Sequence, residues 1–241
     1  MEDITRHTHK ILKTIRNPTS SISKKITEII LEIFIITFAV SLSQYLERQR
    51  EQNVKQKEVK EFLLGLKNDM IADNDQAKDN ITDYDNFKRA FSYLSNISFK
   101  NKPNKDSLDS GVEELTHSAS FRPNISRFEG FKSSGKLEEI LDKQLLQNIL
   151  FYYEQAIPQL RASEGGWIGL HEKLAGFFID NKVENEDGTN NSYHLIMKPM
   201  SRNLTKMLIP WPQLYERYNK IVTLTGTILK EIETNYPESK R

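Results

Sequence analysis

Several short motifs hold the residue types that perform chemistry, but each lacks part of the pattern that its chemistry needs. His171-Glu172 matches the start of the H-E-x-x-H zinc motif, yet the second histidine that would complete the metal site is missing. Asp73-Asn74-Asp75, followed by Asp79, offers the oxygen ligands that calcium prefers, but it lacks the loop glycine and lies within a helical pattern. We interpret this acidic segment as a solvated helix face and predict neither a metal nor a cofactor.

The segment Gly130–Lys136 has the glycine interval and the lysine of a phosphate-binding loop. Leu137 occupies its Ser/Thr position, however, and no strand is predicted before it. A serine at the start of a helix often accepts hydrogen bonds from first-turn amides, so we predict that Ser133 or Ser134 caps a helix. An anion bound at that helix N-terminus is the alternative. Because no catalytic set emerges, we expect that the protein is not an enzyme.

The dominant feature of the sequence is an apolar run, Ile29–Leu46, behind a basic N-terminal segment. At 1.5 Å per residue the run is just long enough to cross the hydrocarbon core of a bilayer, and it is apolar on nearly all sides. It predicts a transmembrane helix over residues 26–46. A buried core helix of a soluble protein is the alternative. A signal peptide is disfavoured, because the preceding segment is long and no A-x-A-like cleavage site follows.

Glu32 is the ionisable residue inside this run, and ionisable groups within a membrane are candidates for a functional role. On a helix it shares one face with Glu28, Ala39 and Ser43, and the small residues there permit close approach of another helix. We predict that this face contacts a partner helix. The alternative is that Glu32 extends to the lipid headgroups.

The predicted topology follows from the charges beside the run. Cytoplasmic flanks are rich in Lys and Arg, which places the N-terminal segment, residues 1–25, in the cytoplasm and residues 47–241 in the periplasm of a bacterial inner membrane. The segment is either an amphipathic helix on the membrane surface or a disordered basic tail. Its predicted lipid-contacting cations are Arg6, Lys10, Lys13, Arg16, Lys24 and Lys25.

Residues 47–241 show helical periodicity and no convincing strand pattern. We predict an all-α fold in which the membrane helix continues into a bundle of three or four main helices. The seam of the first helix has a 3-4 spacing with polar interruptions at Asp73 and Asn80. Further helices are predicted at residues 112–119, 137–160 and 167–179 and after Pro212. Loops are predicted at residues 101–110, 121–135 and 181–192. Gly165-Gly166 is predicted to interrupt the helical stretch between residues 137 and 179. The predicted apolar seam of the first helix is Leu63, Leu66, Met70, Ala77, Tyr84, Phe87, Phe91 and Leu94.

Composition narrows the classes of partner. The net charge is +1 and there is no cysteine, so nothing favours nucleic acid, and an oxidising compartment is compatible with the sequence.

Two stretches of the sequence form a recognisable combination. The first runs from Lys24 through the Glu-containing apolar helix to Arg48, and the second, Phe128–Ile140, carries the Ser-Ser-Gly-Lys-Leu segment. Together they resemble an uncharacterised family of single-pass inner-membrane proteins of Bacteroidota. The likeness covers residues 24–155 and departs where the family has an interfacial Trp, since Tyr45 stands in that region here. The resemblance implies an inner-membrane location and no particular activity.

Together these features predict a membrane-anchored interaction protein, which would be a subunit, scaffold or assembly factor of a cell-envelope complex. Its expected partners are the lipid bilayer and other membrane or envelope proteins, and a homo-oligomer is compatible with the same features. A ligand-sensing helical bundle outside the cytoplasm is the first alternative, and an enzyme without a recognisable motif is the second.

Overall fold

A computed structural model describes residues 22–237, and this part of the chain is all-α, as the sequence predicts. Its β-type pairing is limited to an isolated bridge between Glu184 and Asn190. Short 3-10 turns occupy Glu114–Thr116 and Lys136–Glu139, and a π-turn occupies Tyr152–Ala156. The α-helices are α1 (Ile22–Ser95), α2 (Lys105–Glu113), α3 (Ser126–Ser133), α4 (Lys143–Phe151), α5 (Ile157–Asn181), α6 (Ser192–Ile196), α7 (Pro199–Met207) and α8 (Pro212–Asn235).

Helix α1 is continuous over 74 residues, as expected for a sequence without proline in this stretch. The chain nevertheless forms two compact units, which divide between Glu58 and Val59. The described part of the first unit is helix alone, and the second unit is a helical bundle.

The bundle has one hydrophobic core to which α1 contributes every residue of its predicted seam. Helix α8 contributes positions spaced by three and four residues, including Leu214, Tyr218 and Ile221. The π-turn between α4 and α5 widens the helix by one residue per turn. As a result the consecutive residues Tyr152 and Tyr153 are both buried.

The segment predicted as a loop over residues 101–110 is partly helical, so that prediction is wrong. Helix α2 begins at Lys105, because the side chain of Asn104 accepts a hydrogen bond from the Ser107 amide at 2.7 Å. The helix predicted over 112–119 is correspondingly misplaced, since α2 ends at Glu113 and only a short 3-10 turn follows. Local capping therefore outweighed the loop-like composition.

The predicted serine cap is also wrong, and the helix predicted over 137–160 begins later than expected. Ser133 and Ser134 lie at the end of α3, a helix within the predicted 121–135 loop, and their hydroxyls donate to carbonyls of their own turn. Gly135, with φ of 73°, then reverses the chain in a conformation that favours glycine. Helix α4 starts at Lys143, where Asp142 accepts from the Gln144 and Leu145 amides.

Gly165-Gly166 does not interrupt α5, contrary to the prediction. The residues on either side of the pair pack into the bundle, since Glu164 and Trp167 are both buried. Tertiary contacts thus offset a helix-propensity cost of about 1 kcal/mol per glycine. The polar loop predicted over 181–192 is largely present, and its turn is made by Gly188, with φ of 75°.

Candidate functional site

The apolar part of α1 is long and apolar enough to cross a membrane, and it is the one such segment among residues 22–237. Its most apolar window has a mean hydropathy of 2.0, and none of that window is buried. This exposure argues against the alternative of a buried core helix. Thr37 is accommodated within the helix, because its hydroxyl donates to the Ile33 carbonyl at 2.8 Å. Aromatic and aliphatic side chains such as Phe34, which is 65 % exposed, form the outer surface.

The predicted helix-contact residues lie on this segment. Glu28, Ala39 and Ser43 are exposed and Glu32 is half-buried. Because α1 is unbroken, at 3.6 residues per turn all of them fall within an arc of about 60°. Contact of this face with a partner helix stays a prediction. Of the predicted lipid-contacting cations, Lys24 is described and exposed, whereas the side chains of Arg6, Lys10, Lys13, Arg16 and Lys25 lie outside the description.

The bundle contains a buried polar network that ties α1 to the segment between α2 and α3. Asp73, predicted to lie on a solvated face, is instead only 1 % exposed and accepts hydrogen bonds from the amide and side chain of Asn124 at 2.9 and 2.8 Å. Burial raises its pKa, and the bonds from Asn124 oppose that shift. Asp75 and Asp79 are exposed, as predicted. Asp73 is thus a structural clamp on the segment.

Glu164 of α5 forms the second part of the network. Its carboxylate accepts from the Phe121 amide at 2.9 Å and from the Tyr218 hydroxyl, while that hydroxyl accepts from Asn80 Nδ2 at 2.9 Å. Burial raises the pKa of Glu164, and the hydrogen bonds from Tyr218 and Phe121 oppose the rise. The sequence reveals Asn80 as a seam position but gives no sign of Glu164, because its partners are distant in the chain.

An aromatic cluster surrounds His171, which the sequence gives no reason to place in a core. Its ring stacks on Trp167 at 5.1 Å between centroids, and its Nε2 lies 3.3 Å from the Glu114 carbonyl oxygen. Burial lowers the pKa of His171, so the ring is neutral at physiological pH. Trp167 donates its indole N–H to the Leu208 carbonyl at 2.9 Å. Residues 22–237 hold no group of His, Cys, Asp and Glu that could bind a metal ion.

The bundle surface carries a groove of about 1020 Å³ between α2 with its following turn, the C-terminal part of α5, and the loop closed by the Glu184–Asn190 bridge. We call it the acidic groove. Its apolar lining comes from both helices and includes Ile179, which is 80 % exposed. The lining residues are Asp106, Asp109, Ser110, Val112, Glu113, Leu115, Thr116, Ala175, Phe178, Ile179, Lys182, Glu184 and Asn190.

Hydrogen bonds fix the walls of the acidic groove. Asn190 donates to Asp109 at 3.0 Å and thereby joins the loop to α2. Lys105 binds the other oxygen of Asp109 at 2.9 Å, and these two partners lower the pKa of Asp109, so it is charged at neutral pH. The sequence could not predict this groove, because α2 falls in a segment with loop-like composition.

No family model, curated protein or solved structure matches the chain. The resemblance to a Bacteroidota membrane family therefore stays a prediction.

Proposed function

We propose that the protein is a membrane-anchored interaction protein: a subunit, scaffold or assembly factor of a cell-envelope complex. The observation that carries the proposal is the exposure of the apolar segment of α1. No residue in its most apolar stretch is buried. Exposing such a continuous apolar surface to water is energetically unfavourable, whereas lipid accommodates it. The proposed topology keeps the basic N-terminal segment in the cytoplasm and the bundle in the periplasm.

The features of the bundle support binding rather than ligand sensing. Its buried carboxylates Asp73 and Glu164 are paired within the fold, and their bonds to the amides of Asn124 and Phe121 hold a connecting segment in place. The acidic groove is exposed, with Ile179 at its surface, whereas sites for small ligands enclose most of the ligand.

The first test is membrane retention combined with recovery of partners. Full-length protein should stay in the membrane fraction through high-salt and alkaline washes and should be extracted only by detergent. Purification from native membranes in a mild detergent should then recover specific envelope proteins with it. Release by alkali without detergent, or recovery of the chain alone after cross-linking, would contradict the proposal.

The contact face of α1 provides a sharper version of this test. Glu32→Leu should insert at least as well as the wild type but should lower partner recovery about fivefold, as expected for loss of about 1 kcal/mol from an intramembrane polar contact. Glu32→Gln should keep part of the recovery where hydrogen bonding contributes. Ser41→Leu is the matched control, since it lies on the opposite face of α1 and also exchanges a polar residue for leucine.

Equal recovery from all of these variants would mean that Glu32 only reaches the headgroups. The membrane helix would then be an anchor, and the contacts with partners would be made by the bundle.

A further inference from the structure

We propose that the acidic groove binds a cationic amphipathic helix of a partner protein. This inference rests on the proposed function and names the partner chemistry that one surface of the bundle fits.

The lining of the groove has the two components of helix-in-groove recognition. Ile179 supplies exposed apolar surface, and Val112, Leu115 and Phe178 line the groove with side chains that are largely buried in the core. An amphipathic helix places apolar anchors at positions i, i+3 or i+4, and i+7 into such a surface. Ile179 is 80 % exposed, so the groove presents at least one large apolar side chain that a bound helix would cover.

The charges around the groove indicate which charge a partner should carry. Asp106, Asp109 and Glu113 follow one another along one face of α2 at i, i+3 and i+7, and Glu184 adds a further carboxylate. Among the described lining residues Lys182 is the one cation, and it lies 3.6 Å from Glu184. Lys105, beside the groove, binds Asp109 at 2.9 Å. These two lysines leave the four lining carboxylates in excess. The groove is therefore net negative, and lysine or arginine beside the apolar anchors would complement it.

The walls of the groove are set before a partner arrives. Besides the Asn190–Asp109 bond, the loop is closed by the Val183 amide, which donates to Asn191 Oδ1 at 2.9 Å, and by the Asn191 amide, which donates to the Val183 carbonyl. A formed surface loses less ordering entropy on binding than a mobile one.

Binding can be measured by fluorescence anisotropy on the full-length protein in nanodiscs of zwitterionic lipid. The probe is a labelled designed helix of about 14 residues, with leucine at positions spaced by three and four residues and lysine elsewhere, which gives it one apolar face. Empty nanodiscs supply the background. A helix with glutamate in place of lysine is the probe of opposite charge. The lysine probe should bind in the micromolar range, and the glutamate probe should bind at least tenfold more weakly.

Each component of the groove has a matched variant pair. Ile179→Ser should weaken the lysine probe about tenfold, whereas Leu141→Ser, at another residue that is 69 % exposed, should leave its affinity unchanged. Asp106→Lys with Glu113→Lys should weaken binding and flatten its salt dependence. Asp75→Lys with Asp79→Lys makes the same charge change on an exposed face of α1. This control should leave both the affinity for the lysine probe and its salt dependence unchanged. Both Ile179 and Leu141 are exposed enough for substitution without loss of the fold.

The outcomes separate the possibilities. Equal probe affinity in Ile179→Ser and Leu141→Ser, or equal binding of the two probes, would overturn the groove assignment. A peptide of residues 2–18 of this chain that binds more tightly than the designed helix, and loses affinity in Ile179→Ser, would overturn the assignment to a partner protein. It would also contradict the proposed topology, which places that segment and the bundle on opposite sides of the membrane.

The same variants distinguish this inference from the proposed function. Envelope proteins that co-purify equally with wild type and Ile179→Ser would leave the proposed function standing and remove the groove from it. Failure to recover any partner would contradict the proposed function even where the designed helix binds.

Discussion

Truncation of Glu164 should destabilise the bundle far more than its replacement by glutamine. Glu164→Ala removes the acceptor for two donors, the Phe121 amide and the Tyr218 hydroxyl. An unsatisfied buried donor costs about 1–3 kcal/mol; taking the middle of that range for the fixed amide and the lower end for the rotatable hydroxyl gives a loss of about 3 kcal/mol. Glu164→Gln retains an acceptor oxygen, and its change should stay below about 1 kcal/mol.

The assay is urea unfolding of the full-length protein in detergent micelles, followed by tryptophan fluorescence. Trp167 is fully buried in the bundle core, so its fluorescence reports the unfolding of that core. The slope of free energy against urea should be the same in all variants, so that the midpoints compare directly. Equal midpoints for Glu164→Ala and Glu164→Gln would refute the idea that this carboxylate satisfies the two donors.

The difference in stability between wild type and Glu164→Gln should also depend on pH. Burial raises the pKa of Glu164, so the native protein holds this proton more tightly than the unfolded chain does. The resulting stabilisation is present below the unfolded pKa of about 4.3 and is lost as pH rises towards the folded pKa. Glu164→Gln removes it, so the stability of wild type relative to Glu164→Gln should fall across that window. A difference that stays constant or rises with pH would contradict the burial of an ionisable group here.

The remaining predictions concern His171 and two glycines. Burial lowers the pKa of His171, so stability should fall as pH drops below the unfolded value of about 6.5, and His171→Phe, which can keep the stacking on Trp167, should reduce that fall in thermal melts. Gly135→Ala should lower the free energy of unfolding by about 1–2 kcal/mol because of its positive φ, whereas Gly130→Ala, inside α3 with open space around it, should raise it by up to about 1 kcal/mol. Urea midpoints test the pair, and a shift of the same sign in both glycine variants would contradict the backbone argument.

Periodicity alone determined the all-α fold, the apolar segment of α1 and the seam from Leu63 to Leu94. These features follow from the hydrophobicity of residues within a few helical turns of each other, so they are local. The sequence also located Asp73 and Asn80 on that seam, although it assigned Asp73 to a solvated face as well.

Helix boundaries near α2 and α3 were mispredicted because local capping by Asn104 and the positive φ of Gly135 outweighed a loop-like composition. Gly165-Gly166 remains helical because the residues beside it, Glu164 and Trp167, are buried in the bundle, and no local pattern records their contacts. The same holds for the pairing of Glu164 with Tyr218, residues separated by 54 positions.

The acidic groove depends entirely on tertiary structure. Its walls come from α2, from the end of α5 and from the loop that follows, and the bond that joins Asn190 to Asp109 spans 81 positions. A sequence records which residues are charged or apolar, and helical periodicity records which of them share a face. Only the folding of distant segments against one another decides which faces meet, and so where carboxylates come to surround an exposed apolar surface.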